Sequence, residues 1–190
     1  GSGREVAWLL ERGHEVFAFD PARSYVTEAK RTLASEQLLG FVEGGYESLL
    51  AASHPLSAAV TAHLPFDAVL LGWGSFTHVP DGAERVAILR RLSQLCPAGP
   101  LLLSFWLRRG ADDSTRGRAF NVGWRAGVRL AGRDRSDAPV PGDSILARCG
   151  YGHFFSVAEI GGLATAAGFD MTLAPDPRQP YAHATLRPID

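Results

Sequence analysis

The sequence predicts an α/β fold with a doubly wound, mainly parallel sheet and a C-terminal antiparallel hairpin. Three observations lead there. Short apolar runs alternate with helix-period segments from Arg4 to Trp106, turn residues separate them, and the stretch after Ser156 switches to one helix followed by two strands.

Residues 4–12 (REVAWLLER) set Val6, Leu9 and Leu10 at helical spacing, and Gly13 follows where a left-handed stop belongs. Glu15 to Phe19 is a short apolar run that reads as a buried strand. It ends at Asp20-Pro21, and proline suits the first turn of the helix that places Val26, Ala29 and Leu33 on one face. Leu38 to Val42 and Phe66 to Leu71 repeat the strand pattern. Asp81 caps a helix whose inner stripe is Val86, Leu89, Leu92 and Leu95, and the segment from Pro97 to Pro100 stops it before a strand over Leu101 to Trp106. Ser156 and Glu159 form a capping box for a helix closing at Gly168, after which Phe169 to Ala174 and Tyr181 to Arg187 pair as a hairpin. The segment from Arg108 to Arg135 carries eight arginines against three aspartates and reads as a lid or insertion in an otherwise single domain, suited to an anionic acceptor.

At 190 residues the chain suits one domain with a core large enough to need no disulfide or metal. Hydrophobic residues make up 46% and charged residues 21%, which excludes a disordered or fibrous protein. A net charge of −1 leaves no footprint for nucleic acid or an anionic membrane surface. Cys96 and Cys149 lack the spacing of a zinc or dithiol site, so a reducing, cytoplasmic setting is expected. Pro65 and Asp67 break the longest apolar stretch, so no membrane span is expected.

The chemistry concentrates at strand ends. Gly1, Ser2 and Gly3 stand directly before a helix, where bare backbone lets a ligand approach. Asp20, at the end of the next strand, is placed to accept both hydroxyls of a ribose, or else simply to cap the following helix. Val6 stands where a dinucleotide fingerprint needs Gly or Ala, which disfavours a nicotinamide or flavin cofactor.

Together these residues resemble the class I methyltransferases that use S-adenosylmethionine, over essentially the whole chain. Gly1-Ser2-Gly3 looks like the second half of the family's glycine-rich first motif. Asp20, followed by Pro21, matches its ribose-binding acid, and Gly72-Trp73-Gly74-Ser75-Phe76 occupies the loop that cradles the methionine part of the cofactor. The resemblance implies a Rossmann-like fold, S-adenosylmethionine as cofactor, and methyl transfer to a small-molecule acceptor. A non-catalytic ligand- or partner-binding protein of this fold, or a methyltransferase acting on protein side chains, are the alternatives. Where the family often has Gly-Asp after the third strand, this chain reads Gly44-Gly45-Tyr46, so the adenine contact falls to Gly45 backbone and the Tyr46 ring. The motif's first half and the central first strand are missing, so a fragment that binds the cofactor weakly or not at all is expected. The fourth-strand loop also lacks the Asn/Asp-Pro-Pro-aromatic motif of amide methyltransferases.

Tyr151 and His153, before the closing helix, are the candidate catalytic residues, with bracing of the loop as the equal alternative. His78 is expected to bond loop backbone, and Trp106 to be core. No metal site is expected.

Overall fold

The computed structural model describes residues 1–108, 140–146, 150–174 and 181–189, so the expected lid lies outside the described residues apart from Arg108. The chain, expected as a single domain, groups into two compact units: residues 1–69 with 87–100, and residues 70–86 with 101–190.

The first described element of unit one is helix α1 (Arg4–Leu10), followed by strand β1 (Val16–Asp20), α2 (Arg23–Thr32) and β2 (Leu38–Glu43). Gly3 precedes α1 at φ 92°, and a Cβ there would stand 2.5 Å from the Leu33 side chain, so both backbone sign and space demand glycine. Strands β1 and β2 pair in parallel, as expected of strands joined through a helix. Val26 and Ala29 of α2 pack with Phe41 of β2 in a buried cluster lined by Val6, Ala18 and Leu33. Two short helices then follow, α3 (Tyr46–Leu50) and α4 (Pro55–Thr61). The sequence reading missed both. Neither is long enough to display a helical period, and α4 starts on the combination of proline at its first turn with the His54 ring accepting the Leu56 N–H at 3.1 Å.

Helix α5 (Gly82–Leu95) belongs to both units. Asp81 caps it as expected, its Oδ1 accepting the Glu84 N–H at 2.7 Å, and Ile88, Leu89, Leu92 and Leu95 are buried.

Unit two is built on the four-stranded sheet β3-β4-β8-β7, where β3 is Val69–Leu71, β4 Leu101–Phe105, β7 Phe169–Ala174 and β8 Ala182–Pro188. The expected hairpin is present: β7 pairs antiparallel with β8, which lies antiparallel along β4. Helix α6 (Val157–Ala166) precedes β7. Its capping box is the expected one, with Ser156 Oγ accepting the Glu159 N–H at 3.1 Å, and Gly168 follows at φ 85°. Phe105, Phe155, Ile160, Phe169 and Leu186 are fully buried in this unit. A second hairpin, β5 (Asp143–Leu146) and β6 (Gly150–His153), was not expected, because Gly150-Tyr151-Gly152-His153 carries too few apolar residues to read as a strand.

The described strands thus fall into three sheets of two, four and two strands. The helices and parallel β1/β2 pair, with the closing antiparallel hairpin, make the mixed α/β, Rossmann-like architecture that the sequence predicts. The β7/β8 hairpin folds β8 back against β4, and β1 hydrogen-bonds to β2 as its sole strand neighbour among the described residues. Strand β3 is also shorter than the expected Phe66 to Leu71, because the Phe66 N–H is taken by the Leu95 carbonyl at 2.9 Å and leaves the ladder.

Candidate functional site

In unit one the candidate residues meet at the carboxyl end of β1. The Asp20 carboxylate turns back on its own chain, Oδ1 accepting the Ala22 N–H at 2.8 Å across Pro21, while Oδ2 bonds the ammonium of Gly1. The Asp20 carbonyl accepts the Gly44 N–H at 3.1 Å, tying the end of β1 to the loop after β2. Gly45 donates its N–H to Ser48 Oγ at 3.2 Å. The Tyr46 ring meets Phe19 edge-to-face, with centroids 5.8 Å apart. Gly1, Ser2, Asp20 and Tyr46 are all at least partly accessible. This corner therefore offers a carboxylate, an aromatic ring and bare backbone together.

In unit two, Gly72, Trp73 and Gly74 follow β3. Trp73 takes φ 55° and Gly74 φ 66°, and the turn is pinned from below: the Gly74 N–H donates to Ser104 Oγ at 2.8 Å, and that hydroxyl donates to the Leu71 carbonyl at 3.1 Å. Trp73 is 53% exposed and meets the Tyr181 ring edge-to-face. Trp106, expected as core, is only half-buried and stacks against Phe154 and Tyr181.

Tyr151 and His153 are brought together, two residues apart on one face of β6, but not as a base awaiting a proton. His153 is fully buried, with Nδ1 2.7 Å from Asp143 Oδ1 and Nε2 2.7 Å from Glu159 Oε1. A carboxylate only accepts, so both ring nitrogens donate and the ring is an imidazolium. Burial alone would lower its pKa, but the hydrogen bonds to Asp143 and Glu159 outweigh that and raise it. The Tyr151 hydroxyl donates to Asp143 Oδ1 at 2.5 Å and accepts from Arg85 at 3.1 Å, and burial together with the Asp143 charge holds the phenol protonated. Arg85, itself buried, donates from Nε to the Val79 carbonyl at 2.9 Å and lies 3.6 Å from Glu159. In this arrangement both ring nitrogens of His153 donate to carboxylates and Tyr151 donates to Asp143, the bracing geometry that the sequence left as the equal alternative to a catalytic role. Sequence reasoning missed Arg85, Asp143 and Glu159. Glu159 was visible only as a capping residue, a role it also fills by accepting the Ser156 N–H at 3.4 Å.

Among the described residues no group of His, Cys, Asp and Glu side chains is arranged to hold a metal, and no helix is long and apolar enough to cross a membrane.

Similarity to solved structures decides the fold. An S-adenosylmethionine-dependent methyltransferase from Methanosarcina mazei superposes with a TM-score of 0.60 at 16% identity, over 100% of this chain and 90% of that one. The chain has the class I methyltransferase fold. The 1,6-didemethyltoxoflavin-N1-methyltransferase of Burkholderia thailandensis, solved with 1,6-didemethyltoxoflavin and S-adenosylhomocysteine, gives a TM-score of 0.62 at 23% identity, over 100% of this chain and 68% of that one. The methyltransferase CcbJ of Streptomyces caelestis gives 0.62 at 13% identity, over 100% and 81%. No family model and no curated protein matches the chain.

Proposed function

We propose that the chain is an S-adenosylmethionine-dependent methyltransferase acting on a small molecule. The observation that carries this reading is the corner at the end of β1 within a methyltransferase fold. There the Asp20 carboxylate stands beside Gly1, the Asp20 carbonyl ties the strand end to the Gly44–Gly45 loop, and the Tyr46 ring packs on the neighbouring Phe19. The donor set suits the nucleoside half of the cofactor. The Asp20 carboxylate can accept from ribose hydroxyls, and Tyr46 offers an aromatic ring for adenine. Pro21 fixes the chain direction leaving that carboxylate.

The bound cofactor supplies an electrophilic methyl group on a sulfonium, which needs an aligned nucleophile more than elaborate acid–base machinery. Such chemistry is compatible with a His153 and Tyr151 pair that braces hairpin β5/β6 without exchanging protons. A small-molecule acceptor is favoured by the toxoflavin enzyme among the structural neighbours, which holds its acceptor and S-adenosylhomocysteine together.

Calorimetric titration with S-adenosylmethionine and S-adenosylhomocysteine tests the reading. Saturable binding of both, lost in Asp20→Ala with the fold intact, supports it. Binding that is unchanged in a folded Asp20→Ala, or that is absent both from this chain and from one lengthened upstream by about ten residues, defeats it.

A further inference from the structure

A row of rings in unit two narrows the acceptor, resting on the acceptor side of the proposed function. Trp73 meets Tyr181 edge-to-face at 6.0 Å, Tyr181 lies nearly parallel to Trp106 at 6.4 Å, and Trp106 stacks on Phe154 at 5.3 Å. The His78 ring stands edge-to-face against Trp106 at 5.4 Å. These five side chains come from four separate segments, Trp73 and His78 sharing the connection after β3, yet none is fully buried, whereas Phe76, Phe105, Phe155 and Phe169 of the same unit are.

Packing alone does not account for the row. Trp73 takes the left-handed backbone region, which costs an ordinary side chain roughly 1–2 kcal/mol, and still leaves half its surface in water. Beneath it the backbone is fixed. Ser104 ties Gly74 to Leu71, Thr77 Oγ1 accepts the Trp106 N–H at 3.2 Å, and the Trp106 carbonyl accepts the Phe155 N–H at 2.8 Å. The rings are therefore held apart in an open arrangement. Because Trp106 stacks on both Phe154 and Tyr181, what it still offers is mainly ring edge. Edges carry the positive end of the ring quadrupole, so they attract the π-face of a flat ring and disfavour a cation.

His78 adds chemistry to this surface. Its Nδ1 lies 2.7 Å from the Tyr151 carbonyl, which can only accept, so Nδ1 bears the hydrogen and in the neutral ring the lone pair is on Nε2. Nε2 has no hydrogen-bond partner among the described residues, and His78 is exposed.

We propose that Trp73, Tyr181, Trp106 and Phe154 form the shelf for a planar aromatic or heteroaromatic acceptor, with His78 Nε2 receiving the proton of its hydroxyl or ring N–H. In the transfer, that O–H or N–H bond breaks with its proton passing to Nε2. The freed pair bonds the methyl carbon, and the carbon–sulfur bond of S-adenosylmethionine breaks with its pair returning to sulfur.

The test compares three probes on the full chain, with and without S-adenosylhomocysteine: 2-naphthol, 2-methoxynaphthalene, which has no hydroxyl to donate, and trans-2-decalol, which is not aromatic. The shelf requires 2-naphthol to bind about fivefold or more tighter than the decalol, to shift the indole N–H signals of Trp73 and Trp106 but not Trp8, and to weaken about fivefold in Trp73→Leu. The role of His78 requires 2-naphthol to exceed 2-methoxynaphthalene about threefold or more, a gap that closes in His78→Phe while the affinity for 2-methoxynaphthalene is kept. Equal affinity for naphthol and decalol, no saturable binding of naphthol, or an unchanged affinity in Trp73→Leu overturns the shelf. A gap that persists in His78→Phe overturns the base. A wild-type chain that ignores S-adenosylhomocysteine, as does one lengthened upstream by about ten residues, yet binds naphthol in this pattern defeats the methyltransferase reading and leaves the shelf standing.

Discussion

Replacing His153 by leucine removes the one imidazolium between two carboxylates and should destabilise the protein most steeply below neutral pH. In the native brace Arg85 and His153 carry two positive charges against Asp143 and Glu159, a neutral set around a fully buried ring. Leucine leaves two carboxylates facing Arg85 alone. Breaking a buried ion pair from one side costs about 3–5 kcal/mol, and because the Glu159 side chain is 29% exposed and can take water, the low end applies, about 3 kcal/mol. For a domain of this size that is roughly a 6–12 °C fall in Tm. The pH dependence follows from the direction of the shifts. The His153 pKa is raised above its ordinary 6.5, so its contribution is full below that value and lost as pH climbs through the folded pKa, at up to about 1.4 kcal/mol per pH unit. Burial works against the ionised forms of Asp143 and Glu159. Their bonds to His153 overcome it and lower both pKa values, so their contribution is present above the ordinary 3.8 and 4.5 and fades as pH falls through the folded values. Melting followed by circular dichroism from pH 5 to pH 9 should show the wild type losing Tm above pH 6.5 while His153→Leu stays flat. Parallel profiles, or a Tm at pH 6 within about 2 °C of wild type, would show that the imidazolium does not hold the brace.

Asp20→Asn should weaken S-adenosylhomocysteine about ten- to a hundredfold, the worth of about 1.5–3 kcal/mol for hydrogen bonds to a charged group, and calorimetry beside a thermal melt separates this from unfolding. Gly74→Ala sets a Cβ 2.9 Å from the Tyr181 ring in a left-handed backbone, so it should cost about 1–3 kcal/mol in a denaturant titration and weaken 2-naphthol as well. Ser156→Ala removes the α6 cap and should cost about 1 kcal/mol, a Tm change of about 2–4 °C, with ligand binding unaltered.

What the sequence discloses here follows from how local each signal is. The strand ending at Asp20, the cap at Asp81, the box at Ser156 and Glu159, and the closing hairpin each lie within a few residues, and each is present. The brace is not local: Arg85, Asp143, His153 and Glu159 come from four elements, and only the fold shows that the two nitrogens of His153 face two acids. Helices α3 and α4 were hidden by their shortness. The half-buried state of Trp106 was hidden because an apolar residue at a strand end reads alike as core or as surface.

The brace and the ring row are mechanically joined. Asp143 pairs with His153 across β5 and β6, and alternation along β6 puts Tyr151 and His153 on one face, which is why a single carboxylate oxygen accepts from both. Once the Tyr151 side chain is fixed between Asp143 and Arg85, its carbonyl is fixed too, and that carbonyl holds His78 Nδ1. His78 in turn stands against Trp106. A buried, charge-neutral network thus sets the tautomer and orientation of an exposed imidazole without itself meeting a ligand. The two residues that looked catalytic in the sequence brace hairpin β5/β6 and, through the Tyr151 carbonyl, hold the ring of His78, the imidazole proposed here to receive the acceptor's proton.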